Sequence, residues 1–205
     1  MRPHRAIQRL IACGPPLLEK LPLPPHRCIV ATRVAIDVLA RFGIEAQPRS
    51  VLCAVANAAY ATWRARILAA RQASAPRRWL EPKAPAAALC VWAGLPDYAP
   101  PAGQWPGHLI AFLPAEAQVI DLDFRAFARP DRGLAVPPAV VAHWPAKDAA
   151  VTYSAQDRRG HTFYVRYERQ DDNAGYTAAE VWKPGHPDIV AIVAALERSM
   201  RLADD

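Results

Sequence analysis

No stretch of this chain reaches the roughly 18 consecutive apolar residues that a membrane-spanning helix requires, so no membrane partner is expected. Glycine is scarce. Nine glycines in 205 residues exclude a collagen-like repeat, which needs one residue in three. The four cysteines, Cys13, Cys28, Cys53 and Cys90, form no C-x-x-C pair, so a structural zinc site is not expected. His26 and Cys28 make a His-x-Cys pair without a third ligand at useful spacing, and neither a metal nor another cofactor is expected. The apolar run over 10–18 is broken by Gly14, Pro15 and Pro16 and carries no clear cleavage site, so it does not read as a secretory signal. A cytoplasmic protein with reduced thiols is the default expectation. No internal repeat is visible.

What remains is a globular composition, 52% hydrophobic and 21% charged, long enough to bury a core without disulfides. The expected organisation is one domain over 1–205. It would have a proline-rich N-terminal segment over 1–25 and a C-terminal hairpin and helix over 145–205. Proline is abundant, 21 residues, and most prolines separate apolar segments, where they mark loops. The formal charge is +6. Nearly all of the 25 basic residues are arginine, and they are dispersed rather than clustered. With the many alanines, this reads as GC-rich, bacterial-like coding. A solvated basic surface is the expectation, and nucleic acid is not the expected partner.

Along the chain, residues 4–13 fit a short amphipathic helix, followed by a proline-rich stretch over 14–25. Residues 28–42 give the strongest helix pattern. Gly43 is placed to end it, and the apolar positions cover most of its circumference, as in a buried helix. Arg33, Asp37 and Arg41 form its one wet stripe. Residues 50–57 read as a strand, 58–72 as a helix and 73–86 as a loop. Strands follow at 87–93, 108–113 and 118–123, the last two as a hairpin. A short helix is expected over 136–144. Strands at 150–155 and 161–169 and a helix from Pro187 to about Arg201 complete the chain. Helices first, then a mostly antiparallel sheet, then a helix make the fold class α+β.

Three residues stand out by context. Cys28 sits at the start of the predicted buried helix, where the helix dipole and free N–H groups favour thiolate. His108 opens a strand and can exchange the thiol proton. Asp121 lies on the next strand and can orient the histidine through its other ring nitrogen. A hairpin with a short turn brings His108 and Asp121 side by side. Asp123 shares the face of Asp121 and is its rival, but Asp121 is better centred in the apolar strand.

This order of residues, C-I-V-A-T-R on a buried helix, then W-P-G-H-L-I, then V-I-D-L-D-F, resembles the papain-like thiol fold in its transglutaminase-like branch. That branch holds transglutaminases, transglutaminase-like peptidases and, more distantly, arylamine N-acetyltransferases. The resemblance covers about 26–123. It implies a nucleophile at Cys28, a base at His108, an orienting acid at Asp121, and acyl transfer through a thioester. The sequence departs at Ile29, where many transglutaminases carry tryptophan, and at Pro25-His26-Arg27, where the acetyltransferases carry paired glycines.

The substrate expected of such a site is a peptide, amide or thioester. Trp105 is placed to wall a cleft or to pack the core. His26 is placed to position the loop or assist an oxyanion hole beside the Cys28 N–H. Gln104 and Asn57 are candidate amide donors. Cys13, Cys53 and Cys90 lie in apolar settings and read as inert. The rival reading, from the same residues, is a non-catalytic binding or scaffold module in which Cys28 fills the core. The sequence carries no signal for oligomeric state.

Overall fold

A computed structural model describes residues 2–20, 27–73, 83–94, 105–157 and 159–202. Its elements are α1 (Pro3–Glu19), α2 (Arg27–Arg41), β1 (Gln47–Asn57), α3 (Ala58–Ala73), β2 (Cys90–Ala93), β3 (His108–Leu113), β4 (Gln118–Asp121), β5 (Val140–His143), β6 (Ala150–Gln156), β7 (Thr162–Arg169) and α4 (Pro187–Leu202). Short 3-10 turns lie between β4 and β5 and between β7 and α4.

The seven strands form one sheet in the order β5-β4-β3-β1-β7-β6, with β2 also paired to β1. Every described pairing is antiparallel. β1 is the spine. One edge is shared, with β3 on 47–51 and β2 on 53–56, while the other edge carries β7 on 51–57. Among the described residues the fold is α+β, an antiparallel sheet with four helices, of which α4 is the C-terminal one.

Alternation along the strands divides the buried residues into two cores. On one face, Ala111 and Leu113 of β3 and Ile120 of β4 meet Val30, Val34 and Val38 of α2, Leu10 and Leu18 of α1, and Ile192 and Leu196 of α4. On the other, Ile110 and Phe112 of β3 join Cys53, Val55, Trp144, Phe163, Val165 and Tyr167. Full burial of a valine such as Val34 contributes roughly 1.5–3 kcal/mol, so α2 is held chiefly by its apolar face. A polar tie supplements it: Thr32 Oγ1 donates to the Leu109 carbonyl at 2.8 Å.

Several expectations are corrected. The first helix does not end near residue 13 but runs to Glu19, through Pro15 and Pro16. Each proline removes an intrahelical hydrogen bond. The helix persists because Leu10, Gly14, Pro15 and Leu18 are buried, and Gly14 leaves room for Leu122, 3.4 Å from where a Cβ would stand. The segment 136–144 holds the strand β5, not a helix. Pro137 and Pro138 disfavour helix in the residues before them, and the β-branched Val140 and Val141 pair with Asp121 and Ile120 at the free edge of β4. Half-buried, Arg33 keeps its place on the polar stripe of α2 beside Asp37 and the exposed Arg41. It ion-pairs with Asp37 at 2.9 Å, donates to the Trp182 carbonyl at 2.6 Å and lies against the Trp182 ring. No described helix is long and apolar enough to cross a membrane.

Candidate active site

The site is built on the β3–β4 hairpin. Its register pairs Ala111 with Ile120, Phe112 with Val119 and Leu113 with Gln118. Continued outward, that register would set His108 opposite Asp123. Pairing stops first: β4 ends at Asp121, and residues 122 and 123 turn away. His108 therefore reaches the diagonal position, which long side chains can span. His108 Nε2 and Asp121 Oδ2 are 2.7 Å apart.

Asp121 is 1% exposed. An ionised carboxylate at such depth needs compensation, and three donors supply it. Besides His108, Tyr167 Oη donates to Oδ2 at 2.8 Å, and the Asp123 backbone N–H donates to Oδ1 at 3.1 Å. Tyr167 arrives from β7 and stacks on Trp144, with ring centroids 6.2 Å apart and nearly parallel planes. Packing thus holds the phenol before the hydrogen bond forms. Burial, followed by the Asp121 charge, pushes the Tyr167 phenol well above its ordinary range, so it stays a donor.

His108 is buried with its ring edge-on to Phe127, at 5.1 Å between centroids. Burial by itself pulls the imidazole pKa down. The Asp121 charge and hydrogen bond outweigh it, joined by a hydrogen bond with the Cys28 side chain, and the net shift is well upward. The contact with Asp121 is made through Nε2.

Cys28 is the second residue of α2 and is half-buried. Its backbone N–H is among the first four of the helix, which lack an i−4 carbonyl. Thr32 follows one turn later, and its bond to Leu109 anchors that turn beside His108. Helix and hairpin are tied together within one residue of the histidine.

Asp123 serves a different neighbour. Its Oδ1 lies 3.5 Å from Arg27 Nε. Burial first, and then the Asp121 charge, push its pKa up to about 6, while His108 and Arg27 act to lower it.

Trp105 is half-buried and packs between two glycines. A Cβ on Gly107 would stand 1.9 Å from its Cζ2, and one on Gly175 would stand 2.8 Å from its Cδ1. Trp105 Nε1 donates to Asn173 Oδ1 at 2.5 Å, and its ring meets Tyr176 edge-on. The loop that delivers His108 is thus clamped to the segment after β7.

The remaining sequence candidates separate. His26 and Gln104 lie outside the described residues. Asn57 is structural: its Nδ2 donates to Ala87 O, and its Oδ1 accepts from the N–H groups of Tyr60 and Leu89. Among the described residues no group of three His, Cys, Asp or Glu side chains is arranged to hold a metal ion. Tyr167 and Thr32 were not singled out by sequence. The available signal for Tyr167 was a polar tip on the inward face of the alternation Phe163, Val165, Tyr167.

No family model, curated protein or solved structure matches the chain.

Proposed function

We propose that the chain is a cysteine-dependent enzyme of acyl transfer or of amide or thioester hydrolysis, built on a transglutaminase-like, papain-like arrangement. The observation that carries this reading is the 2.7 Å contact of His108 Nε2 with the buried Asp121, on a hairpin whose Leu109 carbonyl accepts from Thr32, one turn beyond Cys28. In the proposed reaction Cys28 Sγ attacks the carbonyl carbon and its proton passes to His108 Nδ1. The carbonyl π pair moves onto oxygen, near the Cys28 backbone N–H at the start of α2. Collapse breaks the bond to the amine or thiol leaving group, which takes the proton from His108. Water or an amine, deprotonated by His108, then attacks the thioester, and the Cys28 thiol is restored as the acyl group leaves. Asp121 holds the imidazole in the required tautomer and orientation and stabilises its charged form.

The test is site-resolved alkylation at pH 6.5. The native protein is treated with limiting iodoacetamide, and label is mapped on all four cysteines by mass spectrometry, beside the His108→Ala variant. Rapid labelling at Cys28 alone, lost in the variant, is the expected result and justifies a screen of amide and thioester donors. Slow labelling at Cys28, or labelling indifferent to His108, overturns the proposal and leaves a binding module of the same fold.

A further inference from the structure

β6 closes one side of the sheet, and among the described residues only β7 pairs with it. An unpaired edge presents free N–H and C=O groups to any chain that can add a strand, and folds usually blunt it with a short strand, proline, charge or a bulge. β5, at the opposite edge, has four residues and lies between Pro138 and Pro145. β2 also has four. β6 has seven, Ala150–Gln156, without a proline, a glycine or a charged side chain. Its register with β7 runs unbroken from the pair Ala150 and Glu168 to the pair Gln156 and Thr162, so no bulge turns it away.

The ends of that ladder fix which backbone groups face outward. Arg169 N–H donates to Ala149 O at 2.8 Å, and Asp157 N–H donates to His161 O at 2.9 Å. In an antiparallel ladder the bonded pairs alternate, so the odd-numbered residues of β6 turn their N–H and C=O toward β7. Ala150, Thr152, Ser154 and Gln156 therefore turn theirs outward. The side chains of Thr152, Ser154 and Gln156 are exposed. On the other face Val151, Tyr153 and Ala155 pack against the second core but remain only half-buried.

We propose that β6 pairs with β6 of a second copy of this chain, antiparallel about a two-fold axis beside Tyr153, and so joins two seven-stranded sheets into one. In that register Ala150 meets Gln156 and Thr152 meets Ser154, one residue of each pair from each copy. These are the residues with outward groups, so the pairs exchange backbone hydrogen bonds. Val151 meets Ala155, and Tyr153 meets its own mate at a position without backbone bonds, where side chains approach most closely. Hydroxyl pairs and aromatic pairs across strands are both favourable. Charge selects a second copy as the occupant. An isologous contact sets a strand against itself, so a charge of either sign on β6 would stand near its like. The chain carries a net charge of +6 and repels its copies elsewhere, whereas this strand is neutral along its whole length. Two strands of this length bury less than the roughly 1,200 Å² of a standard interface, so the dimer is weak and reversible. It does not rest on the chemistry of Cys28.

The test is sedimentation equilibrium of the full chain from about 1 to about 300 μM, a range that brackets a weak interface. A reductant keeps the four cysteines from cross-linking copies. Wild type is expected to pass reversibly from monomer to dimer. Ser154→Pro removes an N–H that points outward, so the ladder with β7 stays whole while the edge loses a donor. Dimerisation should weaken by at least about tenfold. Ser154→Lys leaves the backbone intact and should weaken it similarly, which decides the matter if the proline variant fails to fold. The register has its own readout: Ser154→Lys mixed with Thr152→Glu should associate more tightly than either variant alone, because the new charges meet across the axis. A monomer at every concentration overturns the proposal. So does a dimer that is as tight in both Ser154 variants as in wild type, since its contact then lies away from β6.

Discussion

Tyr167 and His108 converge on a single oxygen of Asp121, Oδ2, at 2.8 and 2.7 Å. One donor comes from β7 and the other from β3, two strands that are not neighbours in the sheet. The carboxylate is therefore held from both sides of β1. Tyr167→Phe keeps the stacking on Trp144 but removes one donor to a buried charge. Hydrogen bonds to charged groups contribute about 1.5–3 kcal/mol, and the variant should lose that much stability. The check is a urea titration in which the midpoint falls at constant m-value. An unchanged midpoint would mean that Asp121 does not need the phenol.

Asp121→Asn acts on the histidine. At His108 burial pulls the pKa down, and Asp121 is the largest opposing influence. Without that charge the ring should release its proton at a lower pH than in the native protein, which NMR titration of the imidazole reads directly. The sign for stability follows. A pKa raised in the fold contributes stability that is complete below the unfolded value near 6.5 and disappears as pH rises through the folded value. The variant should lose this contribution. Once a substrate is in hand, turnover should fall by about 10²–10⁴-fold. A ring that titrates unchanged would falsify the role assigned to Asp121.

The hairpin that sets His108 beside Asp121 is legible in the sequence because it is local. Two apolar runs flank a short turn, and alternation assigns each side chain a face. Cys28 at a helix start is legible for the same reason, since Gly43 and the apolar periodicity bound α2. Tyr167 is not, because it lies 46 residues from Asp121 and meets it only through the pairing of β7 with β1. The strand at 140–143 is misread because a short apolar run has no decisive period, and the free edge of β4 settles its state. The passage of α1 through Pro15-Pro16 is equally non-local: tertiary burial of Leu10 and Leu18 overrides a strong local rule.

Asp123 yields a pH-dependent prediction of stability. Its pKa rises from an ordinary 3.8 to about 6 in the fold, so folding favours its protonated form. Its contribution is full below pH 3.8, falls as pH rises toward 6, and is lost above that. Asp123→Asn keeps the shape and cannot ionise. The variant should match wild type below about pH 4 and exceed it above about pH 6, by up to about 3 kcal/mol. Paired chemical melts at pH 4 and pH 7.5 make the comparison. A variant that is less stable at pH 7.5 would mean that the contact with Arg27 outweighs burial and the repulsion from Asp121.

Trp105 and Gly107 form the tightest steric pair at the site. A methyl group on Gly107 would stand 1.9 Å from Cζ2 of Trp105, a distance no rotamer adjustment of a rigid indole can absorb in place. Gly107→Ala must displace the ring from Gly175 and from its bond to Asn173. Overpacking of this kind costs about 1–3 kcal/mol. Its cause can be isolated, because in a Trp105→Ala background the added methyl has nothing to strike. A double-mutant cycle should therefore give a coupling energy of the same size, with Gly107→Ala close to neutral in that background. Iodoacetamide labelling of Cys28 in the four proteins adds a functional reading. Because Gly107 immediately precedes His108, displacement of the ring should slow Cys28 in the single variant Gly107→Ala and recover when Trp105 is also removed. A cycle with no coupling would mean that the strand start moves instead of the indole, and that His108 is held by β1 and Thr32 alone.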